Sequence, residues 1–234
     1  MHLDPHLRFE ALSALLGKKI TPFDEKNSCK NSPALSVDDF FIQLILTKQS
    51  SYAEEFFVNE KEFFDRLYDF DFTNLPDSAA CMRGNEPYVR PKGWYRMALK
   101  VRGKYPDGDA WLGTNGWRSH SVPGEWPVSY HGTSLEGAKG IIRSHYKAGN
   151  GQTFGRGIYS APNLHDAEIY SKTFTSTITG KTYKVIMQNR VNPGSRQING
   201  NYWLIPVPEG TSAEEEKRIT ESSIRPYGVL IKEI

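Results

Sequence analysis

The chain has 234 residues, of which 38% are hydrophobic and 12% aromatic, enough for a folded core and too much for general disorder. No apolar run approaches the roughly 18 residues that span a bilayer, so a membrane role is not expected. Asp4, Arg8 and Glu10 break up the first twenty residues, which therefore do not read as a secretory signal. Cys29 and Cys81 are two isolated thiols and no Asn-X-Ser/Thr acceptor is present, so an intracellular, reducing compartment (cytoplasmic or nuclear) is expected. The net charge of +2 hides an asymmetry. Residues 1–90 carry ten Lys and Arg against fifteen Asp and Glu, whereas residues 91–234 carry nineteen against twelve. The second part is the one suited to an anionic ligand.

In chain order, Leu7, Leu12, Leu15 and Leu16 predict a first helix ending at Gly17, followed by polar turn material from Lys26 to Pro33. Ser36 predicts the cap of a second helix with Asp38 and Asp39 in its first turn and Phe40, Phe41, Leu44 and Ile45 on one face. Ser51 predicts a third, carrying Phe56, Phe57, Phe63, Phe64 and Leu67 as packing residues. Residues 1–90 are thus expected to form a mainly helical amino-terminal extension, a cap docked on a domain at 91–234. Leu75 to Pro91, rich in proline and glycine, reads as the boundary loop.

Beyond it the period changes to two. Trp94 to Val101 predicts a strand and Ala110 to Leu112 the start of another, with Trp117 and His120 in the turn-rich stretch that follows. Val128 and Tyr130 alternate with Ser129 and His131, the pattern of a strand with one buried face. Thr133 with Glu136 forms a capping-box signature for a helix through Leu135, Ala138, Ile141 and Ile142. A glycine-rich loop, Ala148 to Thr153, follows. Its glycines are misplaced for a dinucleotide fingerprint, and it follows a helix instead of a strand. Asn163 predicts the cap of a helix bearing Ala167, Tyr170 and Phe174. Strands are predicted at 181–188, 201–207 and 227–234, with a charged helix at 212–221. Strands outnumber helices here and are joined by turns as often as by helices, which predicts an α+β domain of two packed β-sheets with flanking helices. The six histidines show no metal spacing.

Two stretches carry the chemistry: His131-Gly132-Thr133 and Phe154-Gly155-Arg156-Gly157-Ile158-Tyr159-Ser160-Ala161, with Tyr170 eleven residues beyond Tyr159. In order and spacing they resemble the donor-site signature of the poly(ADP-ribose) polymerase-like ADP-ribosyltransferases, over about the last hundred residues. The resemblance implies an ADP-ribosyltransferase-like fold at 91–234 with NAD as substrate and no metal. It implies that His131 hydrogen-bonds the adenosine ribose and that Gly132 offers its backbone to the nicotinamide carboxamide. Tyr159 and Tyr170 would sandwich the nicotinamide ring, each stack worth about 0.5–1.5 kcal/mol. Thr133 completes the His-Gly-Thr run, and Lys147 falls where many members carry an arginine near the adenosine diphosphate.

Two positions depart from the family. Asn201, at the head of Asn201-Tyr202-Trp203-Leu204, stands where a catalytic glutamate is common. An amide can still hydrogen-bond a ribose hydroxyl but can neither accept a proton as base nor place a negative charge beside an oxocarbenium. Ala167 replaces a serine that bonds the carboxamide in relatives, a loss of around 1 kcal/mol. The expected activity is mono-ADP-ribosyl transfer from NAD to a macromolecular acceptor, protein or nucleic acid, with chain elongation not expected. The alternative is a catalytically inactive NAD- or ADP-ribose-binding module acting through a partner interface. Trp94, Trp111, Trp117 and Trp126 read as core before they read as a nucleic-acid platform.

Overall fold

The computed structural model describes residues 4–23, 34–45, 55–76, 81–113, 118–132 and 155–234. The expected turn at 26–33, Ser51, Trp117, the helix beginning at Thr133, Lys147, the glycine-rich loop and Phe154 lie outside the described residues.

Helix α1 (Pro5–Leu16) starts at Asp4, whose side chain accepts from the His6 N–H, and stops at Gly17, whose N–H bonds the Ser13 carbonyl. Strand β1 (Lys19–Pro22) follows. Helix α2 (Val37–Ile45) begins as its sequence predicts, with Ser36 Oγ accepting from the Asp39 N–H at 3.1 Å. Its Phe40, Phe41, Leu44 and Ile45 are buried.

The predicted third helix is not formed as one unit. Phe56 and Phe57 lie on β2 (Glu55–Val58), which pairs in parallel with β1. Only α3 (Glu60–Phe63) is α-helical, followed by a single 3₁₀ turn at Arg66–Tyr68 on which Leu67 is exposed. Aromatic spacing suits either period, and pairing with a strand some thirty-five residues earlier decides it. Next come β3 (Phe70–Asp71), β4 (Cys81–Arg83) and β5 (Glu86–Tyr88). The last two form a hairpin inside the expected loop. Its two-residue turn, Gly84-Asn85, has φ of +60° and +62°, the left-handed pair of a type I′ hairpin turn.

Strand β6 (Tyr95–Ala98) forms as predicted, but Ala110–Leu112 is a 3₁₀ turn capped by Gly113 and not a strand. Then come β7 (Val128–His131), β8 (Gly157–Ser160), the short helix α4 (Leu164–Glu168), β9 (Lys172–Thr175) and β10 (Thr182–Val191). Phe174 sits on β9, not on the Asn163-capped helix, because the Thr-rich run Thr173 to Thr175 pairs antiparallel with β10. Its ring stacks on Tyr183, 5.6 Å between centroids. Strands β11 (Gln197–Asn199) and β12 (Tyr202–Pro206), helix α5 (Ala213–Ser223) and β13 (Ile224–Glu233) complete the chain. Ser212 caps α5 by accepting from the Glu215 N–H.

The architecture is mixed α and β with several sheets. One sheet has the order β3-β6-β13-β10-β7, with β9 sharing the edge of β10 that β7 also uses. A second has the order β11-β12-β8. The two meet where Tyr130 and Ala161 exchange backbone hydrogen bonds of 2.8 and 3.0 Å. One hydrophobic cluster runs across the boundary expected at residue 90, taking in Phe40, Phe63 and Phe64 together with Trp94, Met97 and Trp111. Arg8 of α1 reinforces that continuity by pairing with Asp69, which also accepts from the Ala98 N–H at 2.8 Å. Trp94 and Trp111 are core residues, as their sequence context suggests.

Candidate functional site

The site grows from β7. Its four residues are all buried, so the strand has two covered faces instead of the single one that its alternation predicts. One edge pairs with β10, placing His131 opposite Met187 and Ser129 opposite Asn189. The other edge takes Ala161. That second contact carries β8 alongside and brings the histidine to the tyrosine motif. His131 Nδ1 lies 2.7 Å from the carbonyl oxygen of Tyr159. A carbonyl only accepts, so Nδ1 carries the hydrogen, and in the neutral ring Nε2 is the acceptor nitrogen.

Tyr159 is itself nearly buried, and its hydroxyl donates to the Gly155 carbonyl at 2.6 Å. Burial raises its ionisation above the usual phenol range, so the ring stays neutral. Gly132 follows His131 and faces the turn after α4. A Cβ at this position would lie 2.6 Å from the carbonyl carbon and oxygen of Tyr170 and 2.8 Å from the Ala167 oxygen. Glycine is required here by close packing of backbone on backbone. Tyr170 reaches this place because Asn163 caps α4 and the Tyr170 N–H closes onto the Ala167 carbonyl at 3.1 Å. Burial, and after it the neighbouring Tyr202 hydroxyl, hold the Tyr170 phenol well above its ordinary range.

Asn201 occupies an exposed turn position just ahead of β12. Strand β12 pairs with β8, Leu204 opposite Tyr159 and Trp203 opposite Ser160. Asn201 therefore sits at the end of the strand pair from which Ala161 reaches Tyr130. His131, Gly132, Tyr159 and Tyr170 are brought together. Asn201 lies on the adjoining turn, and Thr133 and Lys147 fall outside the described residues.

The chain matches no family model and no curated protein.

Two residues of the region gain roles that sequence reasoning missed. Arg156, inside the second motif, pairs with Glu216 of α5 and donates to the carbonyls of Val207 and Pro208. It clamps the start of β8 to the carboxyl-terminal helix. Tyr202 lies against Tyr170, a contact that no local pattern announces. Chemically, the arrangement offers a fixed imidazole, phenol rings and an amide side chain: groups that bind hydroxyls and flat rings. Among the described residues no group of three His, Cys, Asp or Glu could hold a metal ion, and no helix is long and apolar enough to cross a membrane.

Proposed function

We propose that the protein is an NAD-dependent mono-ADP-ribosyltransferase, built on an ADP-ribosyltransferase-like fold preceded by an amino-terminal cap and acting inside the cell. The observation that carries this reading is the 2.7 Å contact between His131 Nδ1 and the Tyr159 carbonyl, which joins the two motifs across a long stretch of chain. The neighbouring strands add support. β7, β8 and β12, which bear or adjoin His131, Tyr159 and Asn201, lie side by side.

In this reading His131 Nε2 accepts from a hydroxyl of the adenosine ribose, and the backbone of Gly132 takes the carboxamide. Tyr159 and Tyr170 stack on the pyridinium ring, each contributing about 0.5–1.5 kcal/mol. The glycosidic C–N bond breaks with its electron pair passing to nicotinamide. A nucleophile of a protein or nucleic-acid acceptor then bonds to the ribose carbon and loses its proton to solvent. The chain contributes positioning above all. Asn201 orients a ribose hydroxyl without offering a negative charge to the oxocarbenium, which fits single transfer and slow turnover. The same amide favours the second reading, NAD binding without turnover.

The test is incubation of the purified protein with NAD labelled in its adenylate half, alongside separate pools of protein, DNA and RNA. Release of nicotinamide with label transferred to one pool supports the transferase. Saturable NAD binding with no release over hours supports the binding module, and absence of both refutes the site.

A further inference from the structure

A pocket of about 380 Å³ lies away from His131, Tyr159 and Tyr170. Val128 and Arg190 line it, and they face each other in register across β7 and β10. Side chains alternate along a strand, so these two point to the face of the sheet opposite Ser129 and His131.

The pocket is cationic by construction. Six arginines line it: Arg83, Arg90, Arg96, Arg102, Arg118 and Arg190. Three of them share one buried carboxylate. Glu125 receives Arg118 at 2.9 and 3.0 Å, Arg190 at 3.1 Å and Arg83 at 3.6 Å. Burial lowers the Arg83 pKa; Glu125 opposes this, and the neighbouring Arg118 and Arg190 charges add to it. Three aspartates, Asp65, Asp69 and Asp109, also line the pocket, so with Glu125 four carboxylates stand against its six guanidiniums. Asp69 is engaged by Arg8 from outside, and Asp109 accepts from the Gly103 N–H while lying 3.9 Å from Arg102.

The cations are also held in place. Arg96 donates to the Tyr68 carbonyl at 3.0 Å and lies over the rings of Phe72 and Tyr227, 5.6 and 5.5 Å from their centroids. Arg190 lies over Tyr227 at 5.1 Å. Among the described residues the buried Nε–H groups of Arg96 and Arg190 meet no acceptor. A buried donor without an acceptor is costly, and planar guanidiniums match phosphate oxygens in pairs. The volume suits a ligand of nucleotide size, and the aromatic walls suit a flat ring.

We infer that this arginine-lined pocket is a second binding site, on the opposite face of the sheet from His131, for a small phosphorylated ligand of nucleotide size. The phosphate supplies the acceptors that Arg96 and Arg190 lack, and its negative charge balances the guanidiniums in excess of Glu125 and the three aspartates.

The test is titration calorimetry on the full chain with inorganic pyrophosphate, ADP, ADP-ribose and adenosine at two salt concentrations. Pyrophosphate and ADP are expected to bind saturably, with ADP the tighter, while adenosine does not bind at this site. Affinity falls at higher salt. Arg96→Ala weakens ADP binding about tenfold or more. Arg102→Glu, at an exposed position, weakens it several-fold, and His131→Ala leaves the binding of pyrophosphate, which carries no ribose, unchanged. ADP-ribose binding that survives in His131→Ala and falls in Arg96→Ala places that molecule in this pocket. The inference is overturned if pyrophosphate and ADP both fail to bind. It is equally overturned if adenosine binds as well as ADP, or if pyrophosphate binding is lost in His131→Ala and kept in the two arginine variants. None of these outcomes depends on NAD turnover, so failure here leaves the transferase reading standing, and the reverse.

Discussion

Replacing Gly132 by alanine tests how closely the donor-site strand and the Tyr170 turn must approach. The added methyl would lie 2.6 Å from the Tyr170 carbonyl group, whereas ordinary contact begins at 3.4 Å. The turn must therefore retreat by about 0.8 Å, and a backbone cannot swing aside as a flexible side chain can. Overpacking of this kind costs about 1–3 kcal/mol. For a chain of this size each kcal/mol lowers Tm by about 2–4 °C, giving a fall of roughly 2–12 °C. The same retreat moves Tyr170 by nearly an ångström relative to His131, and a 1 Å misplacement costs about a hundredfold in rate. Thermal melting and chromatographic measurement of nicotinamide release, run together, separate the two effects. Gly194→Ala is the control, because its Cβ would meet only Asn192 Oδ1 at 3.4 Å. A Gly132→Ala protein that melts and turns over NAD like the parent would refute the packing argument and the role given to this backbone.

Asn201 is exposed, so Asn201→Glu should leave Tm unchanged while raising nicotinamide release about tenfold or more, read by the same chromatography. Removing the charge of buried Glu125 in Glu125→Gln strands three guanidiniums and should cost about 3–5 kcal/mol, measured by denaturant unfolding. Burial alone would raise the Glu125 pKa, but hydrogen bonds from Arg118, the Arg190 charge and the Val122 N–H lower it overall. Its stabilisation is therefore complete above the unfolded value of about 4.3 and is lost as pH falls through the lower folded value. Between pH 7 and 3 the Tm of the parent should drop more steeply than that of Glu125→Gln. Arg156→Ala should cost about 3 kcal/mol, a fall in Tm of roughly 6–12 °C, by releasing α5 from the start of β8.

Local signals proved legible where they act over one turn or one strand. Ser36 and Ser212 mark their helices because a hydroxyl three residues ahead of an N–H is sufficient to cap it. Strands β10 and β13 follow from runs of β-branched and aromatic residues long enough to outweigh other tendencies. The phenylalanines at 56 and 57 misled because their fate rests on β1, far back in the chain. The β4–β5 hairpin was hidden by Pro87, which argues against a strand, although the Gly84-Asn85 pair was a usable turn signal. His131, Gly132 and Tyr159 stand in two motifs, with Tyr170 eleven residues farther on, and the structure brings these four residues close together. The Arg156–Glu216 clamp, the Tyr170–Tyr202 contact and the Arg83 and Arg190 arms of the Glu125 cluster join residues distant in sequence, so no window of the chain reveals them.

The central claim is tested most directly with NAD bearing an etheno-adenine, whose fluorescence rises when nicotinamide is released. The account predicts a rise with the parent protein that is lost in His131→Ala and in Tyr159→Ala, with circular dichroism showing both variants folded. A rise of equal rate in both variants, or none in the parent at saturating ligand, would contradict it.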